Sequence, residues 1–325
     1  MNIVITGGAG FIGSALCEFC LNHGHRVVCF DNLSRGSIQH LEGVADDPNF
    51  TFVTGDLRNE PEVDAVMRHQ DSCDLIFHLG AVNGTKLFHE QASHVIDVNI
   101  NGTMNVLNAA AKQDARVVIA SSAEALGLVE QMPLKEHQSS IFPDPSLHQR
   151  FSYGASKYID ELLAHHAVAQ GLDVRIIRPF NVFGPSMSGN VDGQVIGIMF
   201  QAIQNGQPLI VHGNGTQTRS FTFIDDIVRG IYLAGTLDSS LDDHTSLTGM
   251  VFNFGSDEEV SMIQLAQSIN HTVGSLAQDI VFQAGYPGDS PRRVAQCENA
   301  HQHLKWAPKI NLLHGLQLMW SRLQR

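Results

Sequence analysis

MNIVITGGAGFIG, Met1–Gly13, decides the fold. Ile3, Val4 and Ile5 read as a short buried strand, and glycines follow at Gly7, Gly10 and Gly13. Gly8 also opens a G-x-G-x-x-G spacing with Gly10 and Gly13, and an apolar helix pattern through Ala15, Leu16 and Phe19 comes next. Glycine permits a tight turn after the strand and lets backbone N–H groups approach a pyrophosphate, at which the helix points its positive N-terminus. Alone, such a loop is often only a strand–helix turn. A second signal stands beside it: His25–Phe30 reads as a second strand ending on Asp31, 18 residues after Gly13. A carboxylate there accepts hydrogen bonds from adenosine ribose hydroxyls and repels a 2′-phosphate, which favours NAD over NADP. Arg35 stands close enough to weaken that preference.

The 325 residues suffice for one large α/β unit or two intimately joined domains, and the 43% apolar content suits a globular chain. A formal charge of −13 argues against a general nucleic-acid or anionic-membrane surface, so an anionic ligand needs a local cluster of Arg. No apolar run approaches the ~18 residues of a membrane span. The chain opens directly on its first strand, so no secretory leader is expected and a cytoplasmic location is the default. Five Cys, an odd count without framework spacing, suit a reducing compartment. Cys17 and Cys20 form a CxxC inside the first helix, where packing is the expected role. His165–His166 and His301-x-His303 lack zinc spacing, and no metal is expected.

Strand patterns alternate with helix patterns, which implies a doubly wound parallel α/β sheet. Asn49–Thr54 reads as strand three, followed by Asp56, which either meets the adenine amino group or serves as a turn aspartate, with Leu57 covering the ring. Asp74–Leu79 is strand four, ending in Gly80-Ala81, small residues that let the cofactor pass closely. The loop Asn83-Gly84-Thr85-Lys86 follows at the carboxyl edge, where α/β sheets bind ligands. Val95–Gln113 reads as a long helix containing Asn99, either an inward brace for the active-site backbone or a surface amide. Arg116–Ala120 is strand five, capped by Ser121-Ser122, with Glu124 two residues on. Leu128–Arg150 reads as a loop long enough to be functional and to overhang the site. Phe151–Gln170 is a helix and Asp173–Arg178 strand six. The expected division is a dinucleotide-binding domain over 1–180 and a smaller substrate domain over 181–325, with segments near 220–235 and 250–256 returning to the first. In the second, Ser186–Gly193 reads as a loop, Val195–Gln204, Val260–Val273 and Leu312–Leu323 as helices, and Tyr286–Asp289 with Arg292-Arg293 as an exposed basic loop.

Tyr153-x-x-x-Lys157 is the sharpest pattern after the glycine loop. Residues i and i+4 share a helix face, so a nearby ammonium can favour the tyrosinate. The phenol can then take a proton from a sugar hydroxyl as hydride leaves its carbon, with Ser122 hydrogen-bonding the same oxygen.

At these residues the sequence resembles the extended short-chain dehydrogenase/reductase superfamily, in its nucleotide-sugar epimerase/dehydratase branch. TGGAGFIG (Thr6–Gly13), DNLSRG (Asp31–Gly36), GDL (Gly55–Leu57), HLGA (His78–Ala81) and NINGT (Asn99–Thr103) carry the first half. SSAEALG (Ser121–Gly127), YGASK (Tyr153–Lys157), RPFNVFGP (Arg178–Pro185), RSFTFIDD (Arg219–Asp226) and PGDSPRR (Pro287–Arg293) carry the rest. The resemblance implies a resident NAD, a nucleoside-diphosphate sugar substrate and a homodimer. It implies Tyr153 as base, Lys157 on the nicotinamide ribose, and Ser122 and Glu124 beside them. It lines NAD with Phe11, Ile12, Asp31, Asn32, Ser34, Arg35, Gly36, Asp56, Leu57, Leu79, Gly80, Ala81, Asn99 and Phe180, along with the glycine loop. Asn181 and Arg219 would touch the sugar diphosphate, with Arg292 or Arg293 adding a cation, and Asn83 and Thr85 are further candidates for binding the substrate. Arg219 on local grounds alone is equally a surface ion-pair residue. Two departures matter: Leu126 replaces a tyrosine common in the strand-five motif, and Ala123 precedes Glu124 where dehydratases carry Asp-Glu. The expected reaction is therefore epimerisation through a 4-keto sugar, with dehydration or decarboxylation as the alternatives and a silent NAD-binding sensor as the non-enzymatic one.

Overall fold

The computed structural model describes residues 1–70, 72–146, 151–187, 194–285 and 290–324. The tail of the long loop (147–150), residues 188–193 of the glycine- and serine-bearing loop, and Tyr286–Asp289 lie outside the described residues.

Apolar runs with almost no alternation build the main sheet. β1 (Asn2–Thr6), β2 (Arg26–Asp31), β3 (Phe50–Thr54), β4 (Leu75–His78), β5 (Arg116–Ala120) and β6 (Val174–Pro179) are six of its strands. Such runs mark parallel strands covered on both faces. Successive side chains of β1 part company accordingly. Ile3 and Ile5 point to a core with α1 (Phe11–Asn22), whereas Val4 points to one with α2 (Glu60–Met67). Between β4 and β5 come α3 (Thr85–Glu90), α4 (Ala92–Ile96) and α5 (Gly102–Gln113), and α6 (Ser152–Ala169) precedes β6.

After β6 the chain leaves the sheet through β7 (Val182–Phe183), α7 (Val195–Gln204), β8 (Leu209–His212), β9 (Thr218–Ser220) and β10 (Thr222–Phe223). It returns by α8 (Ile224–Thr236), which packs on the α1 face, and by β11 (Val251–Phe254), which pairs with β6. The seven strands run parallel in the order β11-β6-β5-β4-β1-β2-β3. The order reverses between β1 and β4, and a ligand crevice opens at the carboxyl ends of such neighbours.

β12 (Glu259–Ser261), α9 (Met262–Val273), β13 (Ile280–Gln283), β14 (Arg292–Arg293), α10 (Glu298–Leu304) and α11 (Leu312–Leu323) complete the chain. Two sequence expectations are corrected here. Val260 belongs to β12, because Ser261 caps α9 with a reciprocal bond to Gln264 and fixes the helix start one residue later. Arg292 and Arg293 form a strand beside β9, with Arg293 buried, in place of an exposed loop. Among the described residues no helix is long and apolar enough to cross a membrane.

Candidate active site

The crevice floor is backbone meeting backbone. Gly7, at φ +68°, follows β1 so closely that a Cβ there would stand 2.7 Å from the Cα of Gly80 at the end of β4. A Cβ on Gly13 would lie 2.2 Å from the carbonyl oxygen of Gly7, so only glycine closes this turn. Gly10 precedes α1 and no side chain caps that helix, which leaves its first N–H groups for an anion. Asp31 ends β2 and accepts from Ala9 N (3.0 Å) and Leu33 N (2.8 Å), tying the strand end to the glycine loop. The loop Asn32–Gly36 is folded back by Ser34 N on Asn32 Oδ1 (3.0 Å) and by Gly36 packed on Ala9. These groups fit a dinucleotide: a cradle a side chain would fill, an uncapped helix start and a carboxylate at the second strand end. Phe11, Ile12 and Leu79 lie partly buried around the floor and Ala81 follows β4. Arg35 reaches across to Gly84, and Phe180 is buried at the end of β6 beside Gly255.

Two expected cofactor residues are engaged within the protein. Asp56 is gripped by Arg58 at 2.7 Å, whose hydrogen bonds hold its carboxyl down at about 2. Leu57 beside it packs on Gly80. Asn99 spends its amide on the brace: it accepts from Val82 N (2.8 Å) and donates to Val82 O (3.3 Å) and Ser156 Oγ (3.0 Å). The single long helix expected around it is broken by a π-turn over Asp97–Asn101, which turns Asn99 inward.

At the opposite wall, Tyr153 lies on α6 with its ring stacked on Phe88 of α3, centroids 4.8 Å apart and planes at 8°. Ser122 stands beside its hydroxyl. Burial lifts the phenol above its usual range, while Lys157 and Ser122 pull the other way. Lys157 donates to Asp160 Oδ2 at 3.0 Å. Burial works against its charge, but Asp160, Tyr153 and Glu161 together outweigh it and the ammonium titrates above its ordinary value.

Glu124 follows Ser122, whose Oγ accepts the Glu124 N–H at 3.2 Å. Its carboxylate meets the Arg293 guanidinium. The long loop makes that pairing: Leu134 N donates to Val294 O (2.8 Å) and Gln296 N to Leu134 O (2.9 Å), lashing the segment after β14 across the site. Arg293 is register partner of Arg219, so two cations lie side by side in an otherwise acidic chain. Arg292 instead pairs with Glu259 (2.7 Å), so of the two it is Arg293 that meets Glu124. Asn181, at φ +37°, donates to Ser220 O at 2.8 Å between β6 and β9. Asn83 is exposed after β4, and Thr85 opens α3. Sequence reasoning missed Phe88, Thr103 and Asp160. Only Asp160, three residues after Lys157 on one helix, left a signal.

Comparison with known proteins adds the following. The family model described as "NAD dependent epimerase/dehydratase family" matches residues 3–247. The UDP-N-acetyl-alpha-D-glucosaminuronate decarboxylase of Bacillus cytotoxicus is 30% identical over 98% of this chain and 97% of its own length. UDP-glucuronic acid decarboxylase 1 of Xenopus tropicalis is 32% identical over 97% of this chain and 70% of its length. Among solved structures, UDP-glucose 4-epimerase of Thermotoga maritima, crystallised with UDP-glucose, superposes with TM-score 0.88 at 25% identity, covering 100% of this chain and 99% of that one. An epimerase from Methanothermobacter thermautotrophicus gives 0.89 at 27% identity, over 99% and 92%.

Proposed function

The chain belongs to the NAD dependent epimerase/dehydratase family, and from that premise we propose that it decarboxylates a nucleoside-diphosphate hexuronic acid through a 4-keto intermediate. In this reading residues 1–180 hold NAD and 181–325 the nucleotide sugar. NAD, when bound, supplies the acceptor for the C4 hydride and gives the hydride back, so no net oxidation results. Tyr153 takes the C4 hydroxyl proton, and Ser122 holds the same oxygen. A carboxylate at C5 is then β to a ketone and leaves as carbon dioxide, its electron pair passing onto the C4 oxygen. The Tyr153 and Ser122 hydroxyls stabilise that oxyanion.

The observation that carries the reading is the Glu124–Arg293 pair beside Tyr153. Hydride and proton exchange at C4 needs neither group. Chemistry at C5 needs both: a cation to receive the uronate carboxylate and an acid–base group to direct the proton that replaces it. The decarboxylase relatives support it. Arg219 and Asn181 are assigned to the diphosphate. UDP-glucuronic acid incubated with the protein will lose its carboxyl carbon and take one solvent deuteron at C5 in D2O, both followed by NMR. Glu124→Gln will cut this rate by ~10²-fold or more, the usual worth of a positioned acid–base group. A product that keeps its carboxyl and changes configuration at C4 moves the assignment to the epimerase expected from sequence, a reading favoured by the likeness to epimerase structures.

The dimer expected from the resemblance is proposed on the outer face of α5 and α6. Leu162 is 52% exposed and Met104 43%, and Tyr158 and Ile159 stand one turn from Leu162. Met104 also lines a groove of about 420 Å³ between the two helices with Leu107, Ala111 and Leu163, and Asn108, Asp114, His166 and Gln170 give it a polar share; the exposed apolar side chains beside it suit a second copy. Light scattering on a sizing column will give a dimer mass for the native chain and a monomer mass for Leu162→Glu/Met104→Glu. A monomeric native chain discards this interface.

A further inference from the structure

Beneath Tyr153 and Lys157 runs a line of buried polar groups that the reaction above does not use. Gly80 N donates to Thr6 Oγ1 at 3.2 Å, and Thr6 Oγ1 lies 2.8 Å from His78 Nδ1. His78 Nε2 lies 3.0 Å from Thr103 Oγ1. The Thr103 hydroxyl in turn faces the Asp160 carboxyl, whose Oδ2 accepts from Lys157. Thr6, His78, Thr103, Lys157 and Asp160 are each at most 2% exposed.

Each hydroxyl has one proton to give, and that decides the direction of the line. If His78 is protonated on Nδ1, its Nε2 takes the Thr103 proton. Asp160 Oδ1, a buried oxygen that accepts no hydrogen bond from the described residues, then has no donor aimed at it, which is costly. If His78 is protonated on Nε2, the donors run one way along the line. Thr6 gives its proton to Nδ1, Nε2–H donates to Thr103, and the Thr103 proton is free to turn toward that orphaned Oδ1.

We propose that His78 carries its proton on Nε2, so that Gly80, Thr6, His78 and Thr103 form a one-way donor chain ending on Asp160, and that Asp160 is the positioning residue that keeps Lys157 charged under Tyr153. The proposal rests on Tyr153 being the base, as argued above. The other charged groups near Lys157 are already committed. Glu161 of α6 takes Arg178 of β6 at 2.6 Å, and Glu124, after β5, takes Arg293 of β14. His78 of β4 stays neutral, because burial and the neighbouring ammonium lower it to about 3. Asp160 is therefore the counter-charge of Lys157. Burial pushes the Asp160 carboxyl upward against the pull of Lys157 and Thr103, so the donated hydroxyl matters to its charge. The chain begins at Gly80, where β4 meets the glycine loop, and so joins the floor of the crevice to the base.

The test reads the phenol directly, in protein loaded with NAD and labelled at tyrosine Cζ with carbon-13. There are four Tyr, and Tyr153→Phe assigns the signal. Asp160→Asn leaves the ammonium buried without its partner. Lys157 then sheds its proton, and the Tyr153 midpoint rises by about one pH unit or more. Thr103→Val, which removes the hydroxyl but keeps the volume, raises it in the same direction by less, and Thr103→Ser restores the native midpoint. Nitrogen-15 spectra of labelled histidine will show the His78 proton on Nε2. An unchanged or lowered midpoint in Asp160→Asn overturns the proposal, since a lowered one would mean that Asp160 acts only as a repelling charge. If Asp160→Asn does not fold by circular dichroism, the Thr103 pair decides: equal midpoints for Val and Ser sink it. Sustained turnover by Tyr153→Phe would remove the base assignment instead, and the titrations are read independently of turnover.

Discussion

Tyr153→Phe will lower turnover by ~10²–10⁴-fold, the range set by loss of a positioned proton acceptor, while the fold and NAD binding persist. The reason lies in how the ring is held. Its face is stacked on Phe88 and the adjoining Ser152 hydroxyl donates to Phe88 O at 3.2 Å. Neither contact uses the phenolic oxygen, so phenylalanine keeps the packing and loses only the oxygen that Ser122 and Lys157 address. Turnover of UDP-glucuronic acid, a thermal melt and NAD retention on gel filtration measure the three quantities separately. Native-like turnover with an unchanged melt would show that the proton leaves by another group. Ser122→Ala is expected to cost less, because the Lys157 charge acts on the phenol without it.

What the sequence made legible follows from the range of the interactions involved. The glycine loop is local: strand, turn and helix are contiguous, and the steric demand at Gly7 and Gly13 is made by residues close in sequence or by the adjacent strand. Parallel strands buried on both faces show as apolar runs, so β1 to β6 could be read from the chain. Tyr153 and Lys157 share a helix, which also fixes Asp160. The Glu124–Arg293 pair is another matter. Those residues are 169 positions apart and meet only because Leu134 pairs with the segment after β14. Sequence left Arg292 and Arg293 equivalent, and only strand alternation separates them, sending one to Glu259 and the other to the site. Asn99 was placed on a regular helix, whereas a π-turn, invisible to a 3.6-residue pattern, gives it its inward direction. Asp56 reads equally as an adenine partner or a turn aspartate, because nothing in the local pattern announces that Arg58 folds back onto it.

Glu161→Ala will destabilise the protein by about 3–5 kcal/mol, the cost of stripping one partner from a buried ion pair. Glu161 receives Arg178 through two bonds, Nε at 2.7 Å and Nη2 at 2.6 Å, with the Ser121 hydroxyl on the same carboxylate. Both side chains are under a tenth exposed, so little water is at hand to replace the lost partner. Arg178 has one further bond, Nη1 to Glu136 O at 3.1 Å, which does not neutralise it. The pair sits where β5, β6, α6 and the long loop converge, and a guanidinium left alone there must be hydrated by opening that junction. Glu161→Gln keeps an acceptor and will lose less. Replacing both residues by apolar side chains of similar volume, Glu161→Leu with Arg178→Met, will recover most of the loss, because no charge is then left buried. Urea or thermal midpoints of the three variants measure the order. If Glu161→Ala melts with the native protein, the junction is already wet and the pair is not what closes it.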